Sequence, residues 1–251
     1  VLSKTQERAF DILSGAYKKN KNKTALLYGV TGSGKTNVYL ELIERVLSDG
    51  KSVIVLVPEI SLTPQTFSLF RNRFGDNTAV LHSGLSMGER YDEWKRIKNG
   101  EAKVVVGTRS AVFAPVENLG LIIVDEEQEH TYKSEMSPRY NAKDVAKYRC
   151  AYNEALLVFA SATPSVETYA KALDGQYVLA EMEERYGNSV LPEVHIVDIT
   201  DKNSRSSFFA ISDFLAGEIA VNLINREQTI LLVNRRGYNT FVVCGECKHV
   251  I

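Results

Sequence analysis

The chain has 251 residues with 30 lysines and arginines against 31 aspartates and glutamates, which gives a formal net charge of −1. Hydrophobic residues make up 44% and charged residues 24% of it, which is typical of a folded globular protein and excludes a disordered, collagenous or coiled-coil chain. No apolar run reaches the roughly 20 residues that a membrane span needs, so we expect no membrane partner. The first residues lack the apolar core of a secretion signal and three cysteines are too few for a disulfide framework, so we expect a cytoplasmic location.

Short apolar runs alternate along the chain with longer segments of helical periodicity. Most of the runs are continuous, which predicts strands covered on both faces and therefore a parallel sheet. Strands are predicted at residues 24–28, 53–57, 80–82, 104–107, 121–124, 156–160, 194–198 and 230–233. Helices are predicted at residues 5–18, 36–48, 87–99, 142–150, 165–173 and 212–225. The alternation predicts a doubly wound α/β fold.

The periodic pattern weakens after residue 181, and polar segments follow at 183–188 and 201–207. A new pattern of strand, helix and strand then begins at residue 194. We therefore predict a first domain over residues 1–182, a linker over 183–189 and a second domain over 190–251.

A phosphate-binding loop follows the first predicted strand. Residues 29–36 match the pattern G-x-x-x-x-G-K-[ST] at every fixed position, and an amphipathic helix comes next. Glycines let the backbone N–H groups surround a phosphate, Lys35 can reach the β- and γ-phosphates, and the Thr36 hydroxyl can bind Mg²⁺. The predicted ATP site consists of Gly29, Val30, Thr31, Gly32, Ser33, Gly34, Lys35 and Thr36.

An acidic box follows the predicted strand at residues 121–124. Downstream of a phosphate loop, this arrangement predicts that Asp125 holds Mg²⁺ and that Glu126 polarises the attacking water. Glu127 and Glu129 fit equally well as parts of this site or as surface charges.

Several ordered strings resemble known helicase motifs. The phosphate loop, the acidic box and Ser-Ala-Thr-Pro at residues 161–164 resemble motifs I, II and III of superfamily 2 helicases. The strings at residues 57–65, 107–115 and 234–238, with the aromatic loop after motif II, resemble the PriA family of bacterial replication restart helicases. The resemblance covers nearly the whole chain. It implies a RecA-like P-loop NTPase with a mostly parallel sheet flanked by helices, followed by a truncated second RecA-like lobe.

The resemblance also implies an activity and partners. These are ATP-dependent 3′→5′ translocation on forked or single-stranded DNA, replication restart, and assembly with primosome proteins, single-stranded DNA-binding protein and the replicative helicase loader. It implies that the chain is an ATPase-core fragment, because motifs V and VI with their arginine finger lie beyond Ile251. We therefore expect the chain by itself to hydrolyse ATP poorly.

Two groups of residues take nucleotide roles by this resemblance. Gln6 stands where related helicases read the adenine edge with an amide, although it is also compatible with an ordinary surface helix. Motif III, which would transmit the nucleotide state to the DNA contacts, consists of Ser161, Ala162 and Thr163.

Three further segments are candidate DNA contacts. Motif Ib consists of Thr108, Arg109 and Ser110, which suit contacts to the DNA backbone; an alternative role for Thr108 or Ser110 is to cap a helix N-terminus. The loop after motif II, whose alternative is a disordered surface loop, carries Tyr132, Lys133, Arg139 and Tyr140. Its rings could stack on bases, its basic groups could hold phosphates, and by resemblance it signals to Glu126. Motif Ia is represented by Ser61, Thr63 and Gln65, where Pro64 is alternatively a simple helix start.

One residue departs from the family pattern. PriA-type proteins usually read Asp-Glu-Glu-His in motif II, whereas the fourth residue here is Gln128 and His130 comes two places later. The fourth residue links the nucleotide site to motif III, and glutamine still donates and accepts hydrogen bonds. We expect altered coupling with retained hydrolysis, and the spacing of His130 argues against its taking over the role.

The cysteines suggest one metal site. Cys244 and Cys247 have the C-x₂-C spacing of two of the four thiolate ligands of tetrahedral zinc, with a redox pair or chance as alternatives. The resemblance favours Zn²⁺ in the intact protein, with the site incomplete in this chain. Cys150 has no partner and is predicted to be a buried small side chain.

Two other functions stay open. One is a different DNA translocase of the same superfamily, such as a RecG-like fork remodeller or a restriction motor subunit, against which the string at 234–238 followed by Cys244 and Cys247 argues. The other is a binding or scaffold module that holds ATP without turnover, for which Gln128 is the only support in the sequence.

Overall fold

The computed structural model describes residues 2–19, 24–61, 63–184, 192–198 and 211–232. The chain divides into two compact units, Val1–Ser189 and Val190–Ile251. The first unit carries the sheet and all seven described strands.

The sheet is parallel throughout, with the strand order β3-β4-β2-β5-β6-β1-β7. Its strands are β1 (Thr24–Gly29), β2 (Ser52–Leu56), β3 (Thr78–Leu81), β4 (Val104–Gly107), β5 (Leu119–Asp125), β6 (Leu156–Ser161) and β7 (Val178–Met182). The parallel α/β fold predicted from continuous apolar runs is confirmed. All five residues of β2 are buried, as expected of a strand covered on both faces.

Helices cover both faces of the sheet. They are α1 (Lys4–Lys18), α2 (Lys35–Ser48), α3 (Pro64–Phe74), α4 (Met87–Lys98), α5 (Ala142–Tyr152) and α6 (Val166–Leu173). Alternate residues of β2 enter opposite cores: Val53 and Val55 pack with α1 and α2, whereas Ile54 and Leu56 pack with residues of α5. Cys150 belongs to the second core and is 3% exposed, as predicted, and burial raises the pKa of its thiol to about 12.

Local sequence signals fix where the helices begin. Ser3 and Gln6 form a capping box at the start of α1, since each side chain binds the backbone N–H of the other residue. Thr63 caps α3 and Pro64 occupies its first turn, where a missing N–H costs nothing. Motif Ia therefore stands at the N-terminus of a helix, with the Thr63 hydroxyl accepting from the N–H of Thr66.

The described residues of the second unit, 192–198 and 211–232, have less regular structure than predicted. Its described helix, α7 (Asp213–Ile224), is capped by Ser212 and confirms the predicted helix there. The strand predictions at 194–198 and 230–233 were wrong over the described residues, which form no strand. An apolar run becomes a strand only where a neighbour takes up its backbone hydrogen bonds, and Ile196 and Ile230 are each 94% exposed.

None of the helices in the described part of the chain is long and apolar enough to cross a bilayer. The strand β7 and the helix α3 were absent from the periodicity predictions. Strand β7 lies at the sheet edge beside β1, and two of its five residues are fully buried, so its apolar signal is weak.

Candidate active site

The predicted motifs meet at one edge of the sheet. Strands β5, β6 and β1 are neighbours, so the loops that leave their carboxyl ends lie side by side. The register pairs Asp125 with Ala160 and Ser161 with Tyr28, directly before the phosphate loop. Ligands of open α/β sheets bind at this edge.

The phosphate loop has the backbone that glycine allows. Gly32 and Gly34 have φ angles of +80° and +79°, in the left-handed region that disfavours side chains. A Cβ on Gly34 would also lie 2.4 Å from Nε2 of Gln6. Both positions therefore require glycine.

The loop faces the acidic box across a cavity of about 240 Å³. Its lining residues are Thr31, Gly32, Gly34, Lys35, Thr36, Asp125 and Glu126. The Nζ of Lys35 donates to the Gly29 carbonyl at 2.7 Å, and burial lowers the pKa of Lys35 while Glu126 and Asp125 oppose the shift. Among the described residues, Ser33 Oγ is a buried side-chain oxygen without a hydrogen-bond partner.

The acidic box is held in an unusual backbone conformation. Glu126 has a φ of +44°, which non-glycine residues rarely adopt and which recurs at functional sites. Burial, followed by the charge of Glu126, raises the pKa of Asp125 to about 6. Hydrogen bonds from the Glu126 N–H at 3.1 Å and from the Tyr39 hydroxyl at 3.2 Å favour its charged form.

Gln128 connects the acidic box to motif III. Its Nε2 donates to Oε2 of Glu126 at 2.9 Å, and its Oε1 accepts from the Ser161 hydroxyl at 2.6 Å. The Ser161 Oγ also accepts from the N–H of Thr163 at 2.9 Å. The side chain of His130 is 91% exposed and faces Glu129 at 4.0 Å, away from this bridge.

Glu127, which the sequence left undecided, is fully buried. Its carboxylate accepts from Lys143 Nζ at 3.0 Å, from the Ser165 N–H at 2.6 Å and from the Thr168 hydroxyl at 3.2 Å. It therefore joins the acidic box to the first turns of α5 and α6. No local pattern marks this role, because the three partners lie 16 to 41 residues away.

Gln6 is fully buried and contacts the phosphate loop. Its Nε2 donates to the Ser33 carbonyl at 3.0 Å, and its Oε1 accepts from the Ser3 N–H at 2.9 Å. The alternative of a surface residue was wrong. In this structure both ends of the amide are engaged with the protein itself.

The aromatic loop is organised by motif Ib. One nitrogen of Arg109 donates to the Thr131 carbonyl at 3.0 Å and to the Lys133 carbonyl at 2.8 Å, the two residues that flank Tyr132. The Arg109 guanidinium also lies 5.9 Å from the ring centre of Tyr140. The loop is therefore ordered against motif Ib, and the alternative of a disordered surface loop was wrong.

Tyr132 requires a correction. It was predicted to stack on a base, but it is 1% exposed, and its hydroxyl donates to the carbonyls of Leu56 and Asp125 at 3.1 and 2.5 Å. The reason is that the ring fills the core beneath β2 and β5. Burial, with the nearby charge of Asp125, raises its pKa well above the ordinary range.

The remaining candidate DNA contacts differ in access. Lys133, Arg139 and Ser110 are exposed, and Tyr140 is partly buried. Thr108 is 4% exposed and occupies the N-cap position without making a cap hydrogen bond, so its side chain offers little to a phosphate. In motif Ia, Gln65 is exposed.

The profile of the DEAD/DEAH box helicase family matches residues 3–172. The chain belongs to the DEAD/DEAH box helicase family. The matched span runs from the capping box of α1 to α6 and contains the phosphate loop, the acidic box and motif III.

Curated relatives of this helicase chain support the more specific resemblance. It is 47% identical over 251 residues to the replication restart protein PriA of Bacillus subtilis, covering 99% of this chain and 31% of that protein. It is 42% identical to the PriA of Chlamydia muridarum, covering 100% of this chain and 34% of that protein. The resemblance to the PriA family is thereby confirmed. The chain spans about a third of the length of these relatives.

Solved helicase structures share its fold. RecG bound to a three-way DNA junction superposes with a TM-score of 0.55 at 24% identity, covering 75% of this chain and 24% of RecG. The Hef helicase domain of Pyrococcus furiosus gives a TM-score of 0.51 at 23% identity, covering 69% of this chain and 38% of that one. These likenesses support the RecA-like helicase fold.

The predicted zinc pair, Cys244 and Cys247, and the string at 234–238 lie outside the described residues of this helicase. Within the described ranges, no group of three or more histidine, cysteine or acidic side chains is arranged to hold a metal ion.

Proposed function

We propose that this chain is the ATP-binding part of a replication restart DNA helicase, which uses ATP hydrolysis to translocate 3′→5′ on DNA at stalled forks. Residues 1–182 would form the first RecA-like lobe and residues 190–251 the start of the second. The identity to PriA proteins over nearly the whole chain supports this function in preference to that of a RecG-like remodeller.

One observation carries the proposal: the phosphate loop and the acidic box line a single cavity. Lys35 lies there with Asp125 and Glu126, so a cationic donor for phosphates faces two carboxylates. The ammonium of Lys35 would leave the Gly29 carbonyl for the β- and γ-phosphates of ATP.

The oxygen donors in the cavity suit Mg²⁺, a hard cation that prefers carboxylate, hydroxyl and phosphate oxygens. Thr36 and Asp125 would hold it together with the nucleotide. When bound, Mg²⁺ neutralises negative charge on the phosphates during transfer.

Glu126 would orient the attacking water and accept its proton. Its left-handed backbone and the hydrogen bond from Gln128 fix the direction of the carboxylate. Because Gln128 also accepts from Ser161, a shift of motif III would move Glu126. Gln128 would thus perform the coupling for which relatives usually use histidine.

DNA would be sensed through motif Ib and the aromatic loop. Arg109, Lys133 and Arg139 would hold phosphates, and Tyr140 would contact a base. Tyr132 would act from inside the protein, because its hydroxyl binds the Asp125 carbonyl. A DNA phosphate that draws Arg109 away from the loop would release the backbone on both sides of Tyr132. The resulting movement of Tyr132 would transmit DNA binding to the acidic box.

Zinc, the adenine base of ATP and protein partners complete the proposed function. Cys244 and Cys247 would supply two zinc ligands in the intact protein, and Gln6 would turn to the adenine edge when ATP binds. The primosome proteins, single-stranded DNA-binding protein and the helicase loader would be its partners in the cytoplasm.

The test is steady-state ATP hydrolysis by the full-length protein with and without forked DNA. We expect DNA to stimulate hydrolysis strongly, and we expect Lys35→Ala to lower the stimulated rate by at least about 100-fold, because a principal donor to the transition state is lost. Lys171→Ala, a substitution on α6 outside the proposed contacts, is the matched control and should keep the wild-type rate. A rate indifferent to DNA or to Lys35 would instead favour a binding or scaffold module whose motifs bind nucleotide without driving movement.

A further inference from the structure

A tyrosine hydroxyl lies between the two side chains proposed to hold Mg²⁺. Tyr39 is three residues after Thr36 on α2, a spacing that puts both side chains on one face of the helix. Its Oη donates to Oδ2 of Asp125 at 3.2 Å, and the Thr36 side chain interacts with the same hydroxyl. The phosphate-loop pattern ends at Thr36 and gives no reason to expect a role for Tyr39.

We propose that Tyr39 is a positioning residue that holds Thr36 and Asp125 in the arrangement that Mg²⁺–ATP requires. This inference rests on the proposed function, since it presumes that these two side chains bind the metal. It adds a residue of α2 to the site and describes how that residue acts on the ligands.

The Tyr39 hydroxyl restricts the orientation of the Asp125 carboxylate. Oδ1 accepts from the Glu126 N–H at 3.1 Å and Oδ2 accepts from Tyr39, so each oxygen has a donor and the carboxylate plane cannot rotate freely. Each oxygen of a carboxylate has more than one acceptor direction, so these bonds leave room for a metal. A ligand fixed in advance loses less freedom when the metal binds.

Packing fixes the hydroxyl in turn. Tyr39 is 2% exposed, and its ring lies nearly parallel to that of Phe70 on α3, with ring centres 6.4 Å apart and an interplanar angle of 11°. Phenylalanine would fill the same space equally well. The hydroxyl is therefore the part of the side chain that packing does not explain.

The chain offers a matched control for the loss of such a hydroxyl. Tyr17 on α1 is 8% exposed and its hydroxyl interacts with the Asp49 side chain, and neither residue lines the nucleotide cavity. Tyr17→Phe removes the same group, a buried phenol hydroxyl beside an aspartate, at a position outside the proposed metal site.

The experiment measures metal-dependent nucleotide binding by the full-length protein. A fluorescent ATP analogue is titrated in EDTA and then over a range of Mg²⁺ concentrations. For Tyr39→Phe we expect unchanged affinity in EDTA and about a tenfold higher Mg²⁺ concentration for half-maximal enhancement, at the lower end of the range for lost partners of metal ligands. Tyr17→Phe should match the wild type.

Two further variants sharpen the result. On an Asp125→Asn background, Tyr39→Phe should change the Mg²⁺ dependence less than it does in the wild type, because its route through the Asp125 carboxylate is already lost and only the route through Thr36 remains. Tyr39→Leu, which also removes the ring, should lower the melting temperature but weaken Mg²⁺ binding little further.

Two outcomes would overturn the inference: Tyr39→Phe behaves as wild type, or it weakens binding equally in EDTA and Mg²⁺. The first, with an impaired Tyr39→Leu, would assign Tyr39 to packing alone. If the wild type itself showed no Mg²⁺ dependence, the proposed function would fail along with this inference. If nucleotide binding by the wild type depends on Mg²⁺ and Tyr39→Phe shows the same dependence, only the role of Tyr39 would be rejected.

Discussion

Gln128 joins Glu126 to Ser161 through the two ends of one amide. Gln128→Ala should lower the DNA-stimulated kcat about tenfold, as expected for a lost hydrogen bond to a charged group, and should change the KM for ATP less than twofold. The measurement is ATP hydrolysis over a range of ATP concentrations at saturating forked DNA.

Gln128→His is the matched control, because a neutral imidazole also offers one donor and one acceptor. It should keep most of the wild-type rate. Equal activities of the alanine and wild-type proteins would show that the bridge seen here carries no coupling.

The contrast between Lys35 and Glu127 shows which residues a sequence can assign. Lys35 belongs to a continuous pattern whose chemistry is local, so its place in the cavity could be predicted. Glu127 belongs to the acidic box and Tyr132 follows it in the chain, but the hydrogen-bond partners of both side chains come from distant segments. Whether a loop side chain turns inward depends on those partners, and the sequence does not show which distant residues lie next to it in the fold.

At the scale of elements, Glu127 ties the end of β5 to the starts of α5 and α6. The Glu127 carboxylate is fully buried, whereas the Lys143 side chain is 21% exposed. Glu127→Ala should lower the free energy of unfolding by about 3 kcal/mol, because it removes the buried carboxylate that accepts from the Lys143 ammonium, the Ser165 N–H and the Thr168 hydroxyl. Denaturant unfolding followed by circular dichroism measures the change.

Glu129→Ala is the comparison for this variant, since Glu129 lies two residues later and makes a 4.0 Å contact with an exposed histidine. Its effect should stay within about 0.5 kcal/mol. Losses of similar size in both variants would mean that the network around Glu127 contributes little to stability.

The elements themselves were predicted best where both faces of a strand are covered. The central strands β2 and β5 read as unbroken apolar runs and were found. The edge strand β7 is half covered and was missed, and the run at 194–198 is apolar but forms no strand. A run of apolar residues indicates burial, and pairing with a neighbour decides whether it becomes a strand.

At the scale of the whole first unit, the parallel sheet explains why separate motifs form one site. Every strand ends at the same edge, so loops from β1, β4, β5 and β6 converge although their residues are far apart in sequence. This convergence could be predicted from the order of the motifs. The contacts of Arg109 with the loop around Tyr132 could not, because they depend on the path of that loop.

Those contacts predict that Arg109 serves both DNA binding and hydrolysis. With a net charge of −1, any basic surface must be local, so we expect a few basic groups to hold the phosphates. Arg109→Gln should reduce the salt dependence of DNA binding by about one unit of slope, as for one lost phosphate contact, and should also raise the ATP hydrolysis rate without DNA, because it releases the loop contacts that DNA is proposed to release. DNA binding by fluorescence anisotropy at several salt concentrations and a DNA-free ATPase assay measure the two effects.

Arg139→Gln separates these two roles. Arg139 is exposed, and its backbone carbonyl, which the substitution keeps, is what holds Lys133. It should lower the salt slope by a similar amount but leave the DNA-free rate unchanged. If Arg109→Gln altered the slope alone, the guanidinium would act only on DNA, and the contacts that flank Tyr132 would have no part in bringing the DNA signal to Asp125.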